Sequence, residues 1–163
     1  MKRIIYSPGE PAGIGPDLII KIASSQSWEN FKIPIISIGD PSLFLERAKL
    51  LNKKIKVIQI DSVINSKPNR RGFLQVIKTV KCKKTAPSKL HKLNGEYVLN
   101  NLDYAIKETI KNQKYALVTG PLSKENVISL DKSFSGHTEY IQKITKSNDV
   151  LMMLASDKLK VAL

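Results

Sequence analysis

The sequence predicts an α/β fold in which helices cover both faces of a mostly parallel sheet. Strand-like runs alternate with helical patterns, and these runs are continuously apolar, which is typical of strands buried on both faces. The 163 residues are 42% hydrophobic, which is sufficient for one core. We therefore expect one α/β unit over 1–163, without an internal domain boundary.

The front half of the chain carries the clearest alternation. Pro16 suits the first position of a helix, and Asp17 suits the first turn, where the helix dipole favours a carboxylate. Residues 61–71 have the composition of a loop, and 72–80 are compatible with a strand that enters a basic loop. The predicted strands are 3–7, 33–40 and 55–60, and the predicted helices are 16–26 and 41–51.

The back half continues the alternation. Apolar and small residues between Val98 and Ile110 recur at helical spacing, which predicts a long helix over 94–112. Ser123 is a suitable cap for a short helix, because its hydroxyl can accept a bond from a first-turn N–H. The other predicted elements are strands over 115–121, 150–156 and 159–163 and helices over 123–130 and 136–145.

The net charge of +13 raises the question of nucleic-acid binding. Of the 27 basic residues only 4 are Arg, whereas base readout and stacking depend largely on Arg. The lysines are scattered, and their densest cluster is "KCKK" at 81–84. We interpret them as solvated surface residues and expect no nucleic-acid partner.

Two further features of the sequence indicate the cellular compartment of the protein. The sequence has no run of about 18 apolar residues and no signal-peptide pattern, so we expect no membrane association. Cys82 is the only cysteine, which excludes an internal disulfide and fits a reducing cytoplasm. The flanking lysines can lower the pKa of Cys82, but no base near it completes a nucleophilic pair, so we expect an inert thiol.

The loop "SPGEPAGIGPD" (7–17) lies between the first strand and the first helix. Ligands of open α/β sheets collect at the carboxyl ends of strands, and glycine lets backbone N–H groups approach an anion. The spacing is neither GxGxxG nor that of a P-loop. Two interpretations stay open at this point: ligand contact, or a tight strand-to-helix turn.

The stretch "SFSGHTEYI" (133–141) holds His137 and Thr138 side by side after Gly136. A neutral imidazole donates at one nitrogen and accepts at the other, and a threonine hydroxyl does both. Together they suit a polar, phosphorylated substrate. The alternative is a simple helix start, with Thr138 or Ser135 as the cap and Glu139 in the first turn.

Four segments together resemble one enzyme family. "GEPAGIGPD", "LVTGPLSKENV", "FSGHTEYI" and "VLMMLASDKLKVAL" occur in the order and spacing of the 4-hydroxythreonine-4-phosphate dehydrogenases. The resemblance implies a fold like that of the isocitrate and isopropylmalate dehydrogenases. It also implies that His137 and Thr138 contact substrate, since they match the family's Gly-His-Thr segment. It identifies no catalytic residue and no cofactor-binding residue in this chain.

The same resemblance implies two cofactors, NAD and a divalent metal cation. The family's three metal-binding histidines correspond to positions after Leu163, so we expect no metal ligand in this chain. His91, in the poorly matching part, and Lys124 are interpreted as surface residues. We expect the chain to be the front portion of a longer enzyme, because it stops on "VAL" within a strand pattern. The family is homodimeric, and we expect this portion alone not to form a stable dimer.

The implied reaction is the NAD-dependent oxidation and decarboxylation of 4-phosphooxy-L-threonine in pyridoxal phosphate biosynthesis. The residues alone leave alternatives open: a paralogue that acts on another phosphorylated hydroxy acid, or a non-catalytic remnant. A basic nucleic-acid-binding domain is the least favoured, because aromatic residues are not interleaved with the lysines. We expect the chain by itself to be inactive.

Overall fold

The computed structural model describes residues 1–162, and its centre is a five-stranded sheet. All four strand pairs are parallel, and the strand order is β3-β4-β2-β1-β5. The strands of this sheet are β1 (Arg3–Ser7), β2 (Ile35–Ile38), β3 (Lys56–Gln59), β4 (Phe73–Ile77) and β5 (Tyr115–Thr119). The predicted α/β fold with a parallel sheet is confirmed.

In the described part of the chain, five helices surround the sheet or pack beside it. They are α1 (Gly15–Ser24), α2 (Pro41–Leu50), α3 (Asn94–Ile110), α4 (Lys124–Ile128) and α5 (His137–Thr145). Two short 3-10 helices, Gln26–Asn30 and Val63–Asn65, lie in the connections. Within 1–162, no helix combines the length and the apolar character that crossing a membrane requires.

The two faces of the sheet carry separate cores because successive side chains of a strand point to opposite faces. Tyr6 and Val76 pack with Phe44 of α2 and with residues of α1 on one face. Ile5 and Ile36 pack with Ala105 of α3 on the other. Helices therefore cover both faces, and this explains why the strands are apolar at nearly every position.

Most predicted elements are present, with shorter bounds. The first helix begins at Gly15, one residue before Pro16, and ends at Ser24. The chain then turns into a 3-10 helix that buries Trp28. Asp17 lies in the first turn of α1, as predicted, and Ser123 caps α4 by accepting a bond from the N–H of Asn126 at 3.4 Å.

The last two predicted strands are present with shorter bounds, but they lie outside the parallel sheet. β6 (Met153–Ala155) and β7 (Lys160–Ala162) form a separate antiparallel pair instead of joining the parallel sheet. The short connection closes through a bond from Ser156 N–H to Leu159 C=O at 2.7 Å, which favours a hairpin. Leu154 and Leu159 are 61% and 65% exposed, so the apolar composition does not correspond to burial within residues 1–162.

Because the five strands are parallel, their carboxyl ends lie along one edge of the sheet. The loops after β1, β2, β4 and β5 begin at this edge. They include the glycine-rich loop, the start of α2, the basic stretch near 81–85 and the loop 120–123. We therefore expect the site residues predicted from the sequence to lie at this edge.

Candidate functional site

His137 and Thr138 are the first two residues of α5. The structure corrects the predicted cap: Gly136 is the N-cap residue, and no side chain accepts a bond from the first turn. Ser135 and Thr138 therefore do not cap the helix, because the N-cap position, Gly136, lies one residue after Ser135 and two before Thr138. Glu139 lies in the first turn, as predicted. The first-turn N–H groups and the Thr138 hydroxyl remain available to a ligand.

Both side chains are half-buried, and neither makes a hydrogen bond to residues 1–162. Partial burial lowers the pKa of His137 from its ordinary value, because a less hydrated site disfavours the imidazolium. The ring is therefore neutral at pH 7 and offers one donor and one acceptor. Next to the Thr138 hydroxyl, this gives two adjacent polar groups without an internal partner.

The position of α5 is fixed by Tyr140, one turn after His137. Its hydroxyl donates to Asp103 Oδ1 of α3 at 2.6 Å, and its ring packs on Phe134 with 5.3 Å between centroids. Tyr140 and Phe134 share an apolar cluster with Leu122 and Val127, which lie in and after the loop that follows β5. The site helix is thus anchored to α3 and to that loop. Because ligands of α/β sheets gather at strand ends, we predict that His137 and Thr138 lie near one cleft, close to the loop 9–15 or the loop 119–124.

The side chain of Glu10, a residue of the glycine-rich loop after β1, occupies the interior of that loop. Glu10 is 4% exposed, and its Oε1 accepts a bond from Ala12 N–H at 3.1 Å. Its Oε2 accepts a bond from Asn126 Nδ2 at 3.0 Å, across 116 residues of sequence. A phosphate in this loop would meet a buried acidic side chain. The geometry favours the tight-turn interpretation over ligand contact.

The glycines of this loop are needed for backbone packing. Gly9 has a φ of +76°, and a Cβ there would lie 2.2 Å from Pro121 C=O. Gly120 faces the loop from the other side, and a Cβ there would lie 2.3 Å from Pro8 C=O. The Glu10 N–H also donates to Pro121 C=O at 3.0 Å. The loops after β1 and β5 are therefore in direct backbone contact, which leaves no space for side chains between them.

A buried ion pair holds the start of α1 against α2. Arg47 donates from Nε to Asp17 Oδ1 at 2.7 Å and from Nη2 to Asp17 Oδ2 at 2.6 Å. The same Nη2 reaches Gly13 C=O at 3.1 Å. This bidentate geometry fixes the glycine-rich loop from a second side. The Asp17 carboxylate thus has a structural partner, the guanidinium of Arg47.

The basic stretch after β4 forms one wall of a cleft of about 420 Å³ beside the start of α2. Two buried polar residues hold its backbone: Asp40 Oδ2 accepts from Cys82 N–H at 3.0 Å, and Asn94 Oδ1 accepts from Lys83 N–H at 2.9 Å. The lining side chains are Ser42, Leu43, Glu46, Lys81, Cys82, Lys83, Lys84 and Thr85.

Cys82 does not have the lowered pKa that its lysine neighbours suggest. Burial, followed by the negative charges of Asp40, Glu10 and Glu46, raises the pKa of the thiol to about 12. The flanking lysines are exposed and do not offset these effects. The expectation that Cys82 carries no reactivity therefore agrees with its surroundings, but the expected direction of its pKa shift is wrong.

The other two residues singled out in the sequence lie on the surface. Lys124 and His91 are both exposed, in agreement with their interpretation as surface residues. Among residues 1–162, no three His, Cys, Asp or Glu side chains converge to hold a metal ion. The described residues thus do not fit the divalent cation that the family resemblance implies.

Sequence reasoning missed the buried polar residues that organise this edge. Glu10, Asn126, Asp40 and Asn94 are all at most 4% exposed, and their side chains join loops to the starts of helices. Tyr97 belongs to the same group, because its hydroxyl accepts from Asp40 N–H at 3.0 Å and burial raises its pKa. The only local signal is a charged residue between Gly9 and Pro11, where the chain is otherwise apolar or small.

Comparison with known proteins gives consistent matches. A family model described as pyridoxal phosphate biosynthetic protein PdxA matches residues 31–163. A 4-hydroxythreonine-4-phosphate dehydrogenase from Colwellia psychrerythraea is 38% identical over 162 residues, covering 99% of this chain and 48% of the relative. One from Pseudoalteromonas translucida is 38% identical over 161 residues, with 99% and 48% coverage. The chain spans about half the length of the curated relatives it matches.

Solved structures agree with the sequence matches. The 4-hydroxythreonine-4-phosphate dehydrogenase from Klebsiella pneumoniae superposes with a TM-score of 0.83 at 26% identity, covering 99% of this chain and 50% of that one. The structure from Burkholderia phymatum has a TM-score of 0.86 at 21% identity and supports the fold alone. The parallel sheet and its flanking helices are thus shared with these proteins.

Proposed function

We propose a function for this chain from the family to which it belongs, that of the pyridoxal phosphate biosynthetic protein PdxA. The relatives that match along 99% of the chain are named 4-hydroxythreonine-4-phosphate dehydrogenase. We infer that the chain contributes to the same reaction, the NAD-dependent oxidation and decarboxylation of 4-phosphooxy-L-threonine. The family match over 31–163 is the observation that carries this proposal. A cytoplasmic location belongs to the same proposal, and the single free cysteine supports it.

The contribution of this chain is the binding of the phosphorylated substrate through His137 and Thr138. Two observations support this role: the side chains are adjacent and half-buried, and they make no hydrogen bond to residues 1–162. The neutral His137 ring donates one N–H to an oxygen of the substrate, and the Thr138 hydroxyl donates beside it. The uncapped first turn of α5 adds backbone N–H groups and the positive end of the helix dipole, both of which favour an anionic group.

The oxidation requires a hydride acceptor, and the decarboxylation is assisted by a divalent cation that polarises the substrate oxygen. The described residues do not fit the cation, because no three potential ligands converge. The glycine-rich loop does not fit a pyrophosphate, because Glu10 occupies it. We therefore assign neither hydride transfer nor metal chemistry to side chains of this chain.

The test is substrate binding followed by NMR and calorimetry, since both work without turnover. We expect 4-phosphooxy-L-threonine to shift the His137 ring resonances. His137→Ala and Thr138→Ala should each weaken binding about tenfold or more, which corresponds to one lost hydrogen bond to a charged group. His91→Ala is the matched control, because His91 is exposed and lies outside the motif.

The binding measurements also distinguish between the candidate substrates. Binding that is unchanged in both variants would refute the assignment of His137 and Thr138. A preference for a threonate or erythronate phosphate over 4-phosphooxy-L-threonine would instead keep the site and replace the substrate.

A further inference from the structure

The starts of β3 and β4 bring a group of basic side chains together. Lys56 and Phe73, the first residues of these strands, are paired in the parallel register. The turn before β3 and the turn before β4 therefore lie side by side. Together with the last turn of α2 they supply six exposed basic residues, which we call the basic cluster: Lys49, Lys53, Lys54, Lys56, Arg70 and Arg71.

Backbone hydrogen bonds fix these two turns against each other and against the helices. Lys56 N–H donates to Gly72 C=O at 2.7 Å, and Gly72 N–H donates to Ala23 C=O of α1 at 2.8 Å. Lys53 N–H donates to Ala48 C=O of α2 at 2.8 Å. The backbone under the basic cluster is thus held by the fold, and the turns cannot separate to relieve repulsion between the cations.

The basic cluster has no ion-pair partner in the described part of the chain. The ion pairs within 1–162 involve Arg47, Lys111 and Lys143, none of which belongs to the cluster. Glu29 approaches the turn before β4, but its Oε1 accepts a bond from the backbone N–H of Arg71 at 3.1 Å. Cations that are held together without carboxylates attract anions with several charges.

Two adjoining openings lie among these side chains and share three residues, Lys53, Lys54 and Gly72. The smaller opening, of about 430 Å³, is polar and is also lined by Ser24 and Arg71. The larger opening, of about 650 Å³, contains apolar side chains, which are Leu45, Ala48, Ile55 and Phe73. Among the described residues, none that lines either opening is acidic. This arrangement fits a ligand with an anionic end and an apolar body.

We propose that the two openings bind a small organic polyphosphate. Its phosphate oxygens accept charge-assisted hydrogen bonds from Lys53, Lys54 and Arg71, and the guanidinium of Arg71 matches two oxygens at once. The apolar body covers Leu45 and Ile55, and burial of their surface adds to the affinity.

A nucleic-acid strand fits this surface less well. Binding of single strands depends on several aromatic side chains on which successive bases stack. Phe73 is the one aromatic residue among the described residues that line the two openings, and Arg70 already contacts its ring, with 4.6 Å between the guanidinium carbon and the centroid. The basic cluster also lies at the amino ends of β3 and β4, opposite the edge of the candidate site, so this inference does not depend on the proposed substrate.

Calorimetry of the 163-residue chain tests the two parts of the ligand separately, with ATP, inorganic tripolyphosphate and adenosine as probes and without added metal. We expect ATP to bind one-to-one and tripolyphosphate to bind about tenfold more weakly, because it has no apolar body. Adenosine should not bind measurably, because it has no phosphate. In NMR spectra, ATP should shift the amide resonance of Gly72, which lines both openings, and leave the His137 ring resonances unchanged.

Charge variants test the polar opening. Lys53→Gln together with Lys54→Gln should weaken the binding of both ATP and tripolyphosphate about tenfold or more. Lys83→Gln together with Lys84→Gln is the matched control, because it also removes two adjacent, exposed lysines and gives the same net charge. The control should change either affinity by less than about twofold, since neither residue lines the two openings.

A second pair of variants tests the apolar opening. Leu45→Asn should remove most of the advantage of ATP over tripolyphosphate and leave the affinity for tripolyphosphate unchanged. Leu50→Asn makes the same substitution in α2 at a residue that is 67% exposed and lies outside both openings, and it should have no effect. Far-ultraviolet circular dichroism should match the wild type for all four variants, since every substituted position is exposed.

Four results would overturn the proposal. Equal losses of affinity in the two lysine double variants would show attraction to the net charge and an adventitious ion only. Equal affinities for ATP and tripolyphosphate would show that the apolar opening has no part in binding. Shifts of the His137 ring in place of Gly72 would move the ligand to the candidate substrate site. Single-stranded DNA that binds more tightly than ATP, with an affinity that rises with its length, would make a nucleic acid the ligand.

Discussion

Asn126→Ala should destabilise the chain far more than the small change in side-chain size suggests. Asn126 is 2% exposed and donates from Nδ2 to the buried carboxylate of Glu10 at 3.0 Å. A hydrogen bond to a charged group contributes about 1.5–3 kcal/mol, and its loss leaves a buried acceptor without that donor. Alanine has a better helix propensity in α4, which offsets roughly 0.5 kcal/mol. The expected net loss in the free energy of unfolding is therefore about 1–2.5 kcal/mol.

Asn100→Ala is the matched control for this variant. Asn100 also lies in a helix, and among residues 1–162 its Nδ2 bonds only to Glu96 C=O one turn earlier, at 2.8 Å. The same substitution there should change stability by no more than about 0.5 kcal/mol. Urea unfolding followed by circular dichroism gives both values by linear extrapolation.

A double-mutant cycle isolates the pair itself. Glu10→Leu and Asn126→Leu, alone and together, should yield a coupling energy of about 1 kcal/mol or more, since the two side chains are in direct contact. Equal effects of Asn126→Ala and Asn100→Ala, or a coupling energy near zero, would show that Glu10 and Asn126 do not hold the glycine-rich loop against α4.

The other predictions concern ionisation, activity and assembly. Proton NMR should give His137 a pKa below its ordinary value of about 6.5, since burial disfavours the imidazolium. The associated stability is then present above that unfolded value and declines as the pH falls through the folded one; a pKa above 6.5 would contradict this. Cys82, with a pKa of about 12, should react with an aromatic disulfide reagent at pH 8 many times more slowly in the folded chain than in urea, and equal rates would refute its burial. The chain alone should produce no measurable NADH at saturating substrate, NAD and divalent metal, and turnover near that of a full-length relative would reveal a metal site absent from the geometry of 1–162. In sedimentation it should behave as a monomer or a non-specific aggregate, so that a clean, stable dimer would disprove the expectation about assembly.

Periodicity is sufficient to locate the helices and the parallel strands because these elements are determined by local patterns. Val98, Leu102 and Ala105 recur at helical spacing, and all three are buried in α3. The continuously apolar strands reflect two cores, one on each face of the sheet. The start of α5 is predicted within one residue, but its cap is not, since Ser135, Gly136 and Thr138 are all acceptable capping residues locally.

The polar framework of the candidate site could not be predicted in the same way. The Glu10–Asn126 bond joins residues 116 positions apart, and the Arg47–Asp17 pair joins residues 30 positions apart. Neither partner carries a local pattern that identifies the other. His137 and Thr138 are identified by a family resemblance, whereas their neutral, unbonded state depends on burial that only the folded chain defines.

The β6–β7 hairpin and strand β5, which forms one edge of the sheet, share one feature. Both have the composition of interior strands, since "VLMMLAS" and "YALVT" contain no charged residue, yet Leu154 is 61% exposed and Val118 is 45% exposed. Apolar composition indicates that a strand is suited to buried surroundings. Solvent exposure shows how far residues 1–162 provide such surroundings. In an isolated stable domain, exposed edges are usually charged or covered, as β3 is by its lysines. Apolar composition alone therefore does not distinguish a covered strand from an exposed one within 1–162.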